Sequence, residues 1–292
     1  MRQIKKETTL FFISLLLFLS IGLYVFQQNK TSTLLEISFL NIGQGDATFL
    51  RTPNQKLYLI DVSSGPQILE ALSEHLGFFE KKIDGIFLTH MDADHVGGIV
   101  AILEYFSVKN IYTTEAFDET SVYQDVVTFI KKEGIETSIT KINGTKKVFL
   151  DSFDSKEIFV DILFPVKNYP FSDNDRNSRS MVLQIVYEEV SLLFTGDAPV
   201  EVEEYLIREV KTPLQSDLLQ VGHHGSNTST SEDFLKVVNP EYAIMSFGVD
   251  NDFGHPHPEV VTRLEDQEII TFDTKEKSIT FITDGNSIVN IR

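Results

Sequence analysis

His90, Asp92, Asp94 and His95 fall within six residues of Thr89-His90-Met91-Asp92-Ala93-Asp94-His95-Val96-Gly97-Gly98, directly behind the apolar run Gly85-Ile86-Phe87-Leu88. Imidazole nitrogens and carboxylate oxygens are ligands for divalent cations. A strand ending in such a loop aims its side chains at one point, and Gly97-Gly98 lets the backbone turn tightly into a helix. The spacing predicts a hydrolytic site holding a pair of cations. A solvated polar turn is the bland alternative, but the chain has only seven histidines and two of them stand here.

Two later segments offer the remaining ligands. Thr195-Gly196-Asp197 follows the apolar run Val190 to Phe194, and Gly222-His223-His224-Gly225-Ser226 follows Asp217 to Val221. Thr-Gly-Asp alone is a common turn; the strand before it gives Asp197 its weight. Two-metal hydrolysis requires cations about 3.5 to 4 Å apart with a shared bridging ligand. The expected arrangement has His90 and Asp92 in one shell, Asp94 and His95 in the other, and Asp197 as the bridge. One of His223 and His224 completes the second shell, and the other donates a proton to the leaving group or steadies an oxyanion. Asp94, His223 and His224 are therefore the catalytic candidates. Gly254-His255-Pro256-His257-Pro258 forms a rigid turn with Glu259 starting a helix. His255, His257 and Ser226 are candidate substrate contacts.

These groups need strands that end together. Leu35, Ile37 and Phe39 alternate with Glu36 and Ser38, and 47–50 and 57–60 follow as further strands. Ile68, Leu69 and Leu72 have helical spacing, and 100–105 continues the helix behind Gly97-Gly98. Residues 181–186 and 190–194 read as a hairpin, 217–221 as a strand, and the polar stretch Asp173 to Arg179 as a loop. Gly43-Gln44-Gly45 lacks the third glycine of a dinucleotide fingerprint and reads as a tight strand connection. His75 reads as a helix-end residue. Strands and helices in two successive sets predict two sheets packed face to face, helices outside, and the site on one rim.

The chain has 292 residues, 42% of them hydrophobic, enough to bury a large core in one domain. Leu10 to Phe26 form a nearly unbroken apolar run of 17, preceded by Arg2, Lys5 and Lys6. This predicts an N-terminal transmembrane helix, a signal anchor within residues 1–30, with a domain over 31–292 outside the membrane, or secreted if the segment is cleaved. The absence of cysteine excludes a thiol nucleophile and thiolate ligands. Net charge is −18; residues 1–30 hold four basic residues and one acidic, so the remainder carries a net of −21. Such a balance repels polyanions at long range, although a dicationic site reverses the potential locally.

Taken together, Phe39-Leu40-Asn41-Ile42-Gly43-Gln44-Gly45-Asp46-Ala47, Leu59-Ile60-Asp61, the 89–98 stretch, Thr195-Gly196-Asp197, Val221-Gly222-His223-His224-Gly225-Ser226 and the 254–259 turn resemble the metallo-β-lactamase-fold domain of ComEC-type DNA-uptake (competence) proteins. The resemblance runs from about residue 35 to residue 292. It implies an α/β fold, a four-layer αβ/βα sandwich, with a two-metal hydrolase centre. Asp92 stands where the commoner superfamily motif has His, and no His lies between His95 and His223. A segment similar to Asn177-Ser178-Arg179-Ser180 occupies the corresponding place in the DNA-uptake proteins, which makes Asn177 a further candidate substrate contact. The first metal would then lean on oxygen, so the implied cofactors are two divalent ions, zinc or manganese, with magnesium also suited.

The expected function is a membrane-anchored, extracytoplasmic metal-dependent phosphodiesterase, a ComEC-like nuclease in which a metal-bridged hydroxide attacks a phosphodiester such as DNA. One alternative is a cell-surface phosphoesterase acting on phosphocholine or teichoic-acid-type groups. Another is a non-catalytic metal-binding adaptor of a DNA-uptake assembly. The DNA-uptake proteins carry a multi-span channel whereas this chain has one expected span, so the resemblance does not extend to translocation. The sequence names no protein partner.

Overall fold

The computed structural model describes residues 11–20, 22, 33–115, 120–167, 169–171 and 175–292. The chain divides into two compact units, Met1–Ser32 and Thr33–Arg292. In the first, residues 11–20 form a helix, α1, whose phenylalanine, leucine and isoleucine side chains are all exposed. Among the described residues no helix is long and apolar enough to cross a membrane. Positions 10, 21 and 23–26 of the expected span lie outside the described residues.

The second unit is built on two large sheets. The first contains β1 (Leu35–Phe39), β2 (Thr48–Arg51), β3 (Leu57–Ile60), β5 (Gly85–Phe87), β7 (Asn110–Thr114), β8 (Ser138–Ile142), β16 (Ile279–Thr283) and β17 (Ile288–Asn290). Their order is β17-β16-β1-β2-β3-β5-β7-β8, and β3, β5, β7 and β8 run parallel. The second has the order β15-β14-β13-β12-β11-β10-β9, where β9 is Lys146–Phe153, β10 Lys156–Phe164, β11 Val182–Tyr187, β12 Val190–Phe194, β13 Leu218–Gln220, β14 Tyr242–Met245 and β15 Ile270–Asp273. Here β12 to β15 run parallel. A short parallel pair, β4 (Lys82–Ile83) with β6 (Ser107–Val108), stands apart.

The sheets face each other across one apolar core, in which Phe39 stacks on Phe194 at 5.9 Å and meets Phe281 edge-on at 6.5 Å. Helices α2 (Gln67–Ser73), α4 (Ile99–Tyr105) and α5 (Ser121–Glu133) bury a second core against the outer face of the first sheet. Helices α6 (Val200–Glu209), α7 (Glu232–Val238) and α8 (Pro258–Asp266) bury a third against the other. The result is the four-layer αβ/βα sandwich. Because helices cover the outer faces, polar residues in the strands are buried too. In β1, Ser38 is fully buried and its hydroxyl lies 2.9 Å from the Thr280 hydroxyl.

Parallel strands leave their carboxyl ends on the same side. Ligands of open α/β sheets gather at such ends. Here β3, β5, β12, β13 and β14 run out into the segments that carry Asp61, His90, Asp197, His223 with His224, and Ser246.

Candidate metal centre

Thr89 and His90 leave β5 still extended, since Leu88 N–H donates to Tyr112 O at 2.9 Å. Asp92 then precedes the one-turn helix α3 (Ala93–Val96), its carbonyl receiving the N–H groups of His95 and Val96. This turn is clamped from below. Asp46 N–H donates to Asp94 O (3.2 Å), Val62 N–H to His95 O (2.7 Å) and Ser63 N–H to Asp46 O (3.0 Å). The approach requires glycine at 45, where φ is +121° and a Cβ would collide with the Asp94 carbonyl. Gly43-Gln44-Gly45 is thus more than a strand connection: it is the floor of the ligand loop.

Asp197 sits at the centre of the cluster. Its Oδ1 lies 3.3 Å from His95 Nε2 and 3.8 Å from His224 Nε2, while its Oδ2 lies 3.6 Å from His90 Nε2 and 3.5 Å from His223 Nε2. Each carboxylate oxygen therefore faces two imidazoles. Asp94 Oδ2 approaches His224 Nε2 at 3.2 Å, and Asp92 Oδ2 approaches His90 Nε2 at 3.9 Å. The residues expected around two cations are brought together, and the open choice within the histidine pair is resolved in position: His224 stands on the side of Asp94 and His95, His223 on the side of His90.

In all four rings Nδ1 is engaged and Nε2 points inward. His90 Nδ1 lies 3.2 Å from Thr89 Oγ1, His95 Nδ1 2.8 Å from Asp61 Oδ2, His223 Nδ1 3.0 Å from Thr228 Oγ1, and His224 Nδ1 3.0 Å from Ser246 O. Partners of this kind fix tautomer and ring orientation in metal sites. The backbone carries a matching cost. Asp61, His223 and His224 all have φ between +50° and +56°, a left-handed conformation worth about 1 to 3 kcal/mol of strain per residue.

Asp61 and Asp46 are the residues that the site assignment from sequence missed. Asp61 accepts from Thr89 N–H (2.7 Å) and from the Thr89 hydroxyl (2.6 Å) while holding His95. Asp46 lies 3.5 Å from His224 Nδ1 and 3.9 Å from His95 Nδ1, and Asp46, His95, Asp197 and His224 form a buried four-residue group suited to a metal. A signal existed for Asp61, which directly follows the apolar strand Leu57–Ile60, the same context that singled out Asp197; Asp46 lies in the loop between β1 and β2.

The charges are strongly coupled. Burial disfavours a charged His90, the nearby His95 adds repulsion, and its pKa falls to about 3, leaving a neutral imidazole. Burial also opposes charge on His224, but Asp197 and Asp46 outweigh it and raise the pKa to about 10. His95 is raised well above the ordinary histidine value by Asp197 and Asp61 against its burial. Asp197, despite full burial, is held well below the carboxylate range by His95, His224 and His90. Asp94 falls to about 2 against its burial, through its hydrogen bond with His224 and the charge of His95.

The donor set fits divalent cations. His90 Nε2 and Asp197 Oδ1 are buried without a hydrogen-bond partner among the described residues, a costly state unless something else joins them. Nitrogen and oxygen ligands about 2.0 to 2.2 Å from one tetrahedral ion stand about 3.3 to 3.6 Å apart, the range of the Asp197 contacts with His95 and His90.

The remaining candidates divide. His255 borders the cluster, its ring 5.6 Å from His223 and 6.1 Å from His224, with exposed Phe253 stacked on it at 5.7 Å. His257 Nδ1 instead accepts Asn227 N–H at 2.9 Å, and Ser226 Oγ lies 3.0 Å from Thr228 Oγ1, so both hold the turn behind His223. Asn177 begins the 3-10 turn Asn177–Arg179, next to which Ser180 Oγ accepts Asp197 N–H at 3.2 Å. No hydrogen bond ties the Asn177 side chain to the cluster among the described residues. Arg176 Nη1 reaches Asp92 Oδ1 at 3.1 Å.

Residues 40–249 match the family model described as the metallo-beta-lactamase superfamily. Similar curated proteins include ComE operon protein 3 of Bacillus subtilis, 29% identical over 82% of this chain and 32% of its own length, and Recombination protein 2 of Haemophilus influenzae, 30% identical over 78% of this chain and 26% of its own. Competence protein ComA of Neisseria gonorrhoeae is 29% identical over 78% of this chain and 29% of its own. The chain spans about a third or less of the length of these relatives. Among solved structures, the E377D mutant of the CmlA beta-hydroxylase superposes with a TM-score of 0.55 at 14% identity, over 84% of this chain and 53% of that one. This likeness concerns the fold alone.

Proposed function

This chain belongs to the metallo-β-lactamase superfamily, and from that premise we propose that it is a metal-dependent phosphodiesterase acting on a nucleic-acid strand, anchored by its N-terminal segment with the catalytic domain outside the membrane. The observation that carries the reading is the convergence of four Nε2 atoms, two on each oxygen of Asp197. His90, Asp92 and Asp197 would hold one divalent ion, zinc or manganese, and Asp94, His95, His224 and Asp197 the other, with magnesium suited to the oxygen ligands. When bound, such a pair supplies Lewis-acid charge and lowers the pKa of water for in-line attack on phosphorus.

The chain's own residues do the rest. Asp61, Thr89 and Ser246 hold the rings, so the cluster needs little reorganisation during reaction. His223 is the imidazole of the four whose side chain is partly exposed, at 25%. The Thr228 hydroxyl can donate to its Nδ1, leaving a proton on Nε2 to pass to the departing oxygen. The buried His224 is the ligand of the pair. The competence relatives support a nucleic-acid substrate, and exposed Phe253 over His255 supports it through a face on which a base can stack. The exposed apolar face of α1 supports anchoring.

The test uses the full chain purified in detergent with manganese, zinc or magnesium. It is offered single-stranded DNA, bis-p-nitrophenyl phosphate and p-nitrophenyl phosphorylcholine. Cleavage of DNA and of the diester, lost in Asp94→Ala, is the expected result. Turnover of the choline ester alone would transfer the assignment to a surface phosphoesterase, and metal uptake without turnover to an adaptor.

A further inference from the structure

Beside the metal centre, on the same rim, lies a cavity of about 300 Å³ whose lining includes Thr114, Asn143, Val166, Lys167, Phe171 and Arg179. Its position follows from the strands. Leu88 bonds to Tyr112 across β5 and β7, and neighbouring strands run about 5 Å apart. Thr114 lies two residues beyond Tyr112, just as His90 lies two beyond Leu88. On the other side, Arg179 directly precedes Ser180, whose hydroxyl holds Asp197, and Arg176 in the same turn pairs with Asp92. The cavity therefore adjoins the His90 and Asp92 side of the cluster.

We infer that this cavity is a subsite for one nucleoside of the strand, the unit next to the scissile phosphate. The inference rests on the nuclease reading above. The volume is at the lower end of ligand pockets, room for one ring-sized group. One wall is aromatic, Phe171, with the Arg179 guanidinium 5.4 Å from its ring centre. The rest of the lining includes polar groups. Thr114 is 97% buried and its hydroxyl has no hydrogen-bond partner among the described residues, and the Asn143 amide donates to the Glu115 carboxylate at 3.0 Å. A flat group with an apolar face and a hydrogen-bonding edge matches this lining. Lys167 and Arg179 outnumber the one lining carboxylate, Glu115, and leave a local positive balance on a chain of net −18, where an adjoining phosphate would need it. The same two cations disfavour a quaternary ammonium group, which aromatic cages recognise through cation–π attraction.

The test compares the wild-type full chain in detergent with Arg179→Ala, Thr114→Val and the cavity-filling Val166→Trp, each first checked for an unchanged melting temperature. Arg179→Ala removes an exposed-end contact and keeps the experiment interpretable if the other two unfold. KM for a single-stranded oligonucleotide should rise about five- to a hundredfold, while kcat/KM for methyl p-nitrophenyl phosphate, a small diester whose methyl group cannot fill a base subsite, stays unchanged. Fluorescence anisotropy of a labelled oligonucleotide with EDTA-treated protein should weaken in parallel. Equal losses on both substrates, or folded variants with unchanged oligonucleotide KM and binding, would overturn the subsite and leave the nuclease reading standing. A wild-type chain that cleaves the small diester but no oligonucleotide would sink both. Loss of p-nitrophenyl phosphorylcholine turnover in the same variants would reassign the cavity to a headgroup.

Discussion

His223 and His224 are adjacent in sequence, share a left-handed backbone, and face opposite oxygens of Asp197. Their variants should separate accordingly. His224→Ala is expected to lose one of two bound ions, read by elemental analysis, because it removes a buried ligand beside Asp94. His223→Ala should retain both ions and lose about 10²- to 10⁴-fold in kcat on an oligonucleotide, whose alkoxide leaving group needs a proton, and far less on bis-p-nitrophenyl phosphate, whose nitrophenolate leaves without one; loss of metal there would make His223 a ligand instead. A second expectation concerns protons. Folded-state pKa values of His95 and His224 are raised, to about 10 for His224, so both carry a proton at neutral pH in the metal-free protein. A cation needs their lone pairs, hence loading should release about two protons per chain, and affinity should rise with pH from about 6 to 9. Calorimetry in buffers of different ionisation enthalpy measures the release; none at all would contradict the liganding of both rings.

At the scale of elements, the loop between β1 and β2 supports the ligand turn through Asp46 and Gly45. Gly45→Ala places a Cβ against the Asp94 carbonyl at a φ that L-residues avoid. It should cost about 1 to 3 kcal/mol of stability and weaken metal binding as α3 is pushed away. Thermal melting with and without metal checks this, the metal-dependent gain in melting temperature being smaller than in the wild type. A variant with unchanged melting and unchanged metal gain would show that the floor is not rigid. Glu203 on α6 plays a similar supporting part for the 222–231 turn, its buried carboxylate accepting the N–H groups of Thr230 and Ser231.

For the whole molecule, the question is how a chain of net −18 meets a polyanion. Long-range repulsion is screened over about 10 Å at 0.1 M salt, and added salt shortens that range. The kcat/KM for an oligonucleotide should therefore stay level or rise from about 50 to 200 mM salt, where a basic nuclease would lose affinity steeply. Bis-p-nitrophenyl phosphate, with a single charge, should respond weakly. A steep fall for the oligonucleotide would point to a basic track elsewhere on the surface.

Much of this protein was legible in local pattern. The 89–98 loop, Asp197 and the histidine pair declared themselves because ligand-type residues directly follow apolar strands, and the parallel strands then carry them to one rim. The alternation in 35–39 located β1, but the full burial of Ser38 could not be read from it, since burial on both faces depends on segments far away in the chain. Asp46 is an ordinary loop aspartate in sequence, Asp61 follows a strand as Asp197 does, and only the pairing of β3 with β5 and the contact of the 43–46 loop with α3 bring the two under the rings. The opposite positions of His223 and His224 about Asp197 likewise depended on folding. Residue type and spacing determine which side chains can bind a cation, but the directions in which they point are set by contacts between segments more than a hundred residues apart.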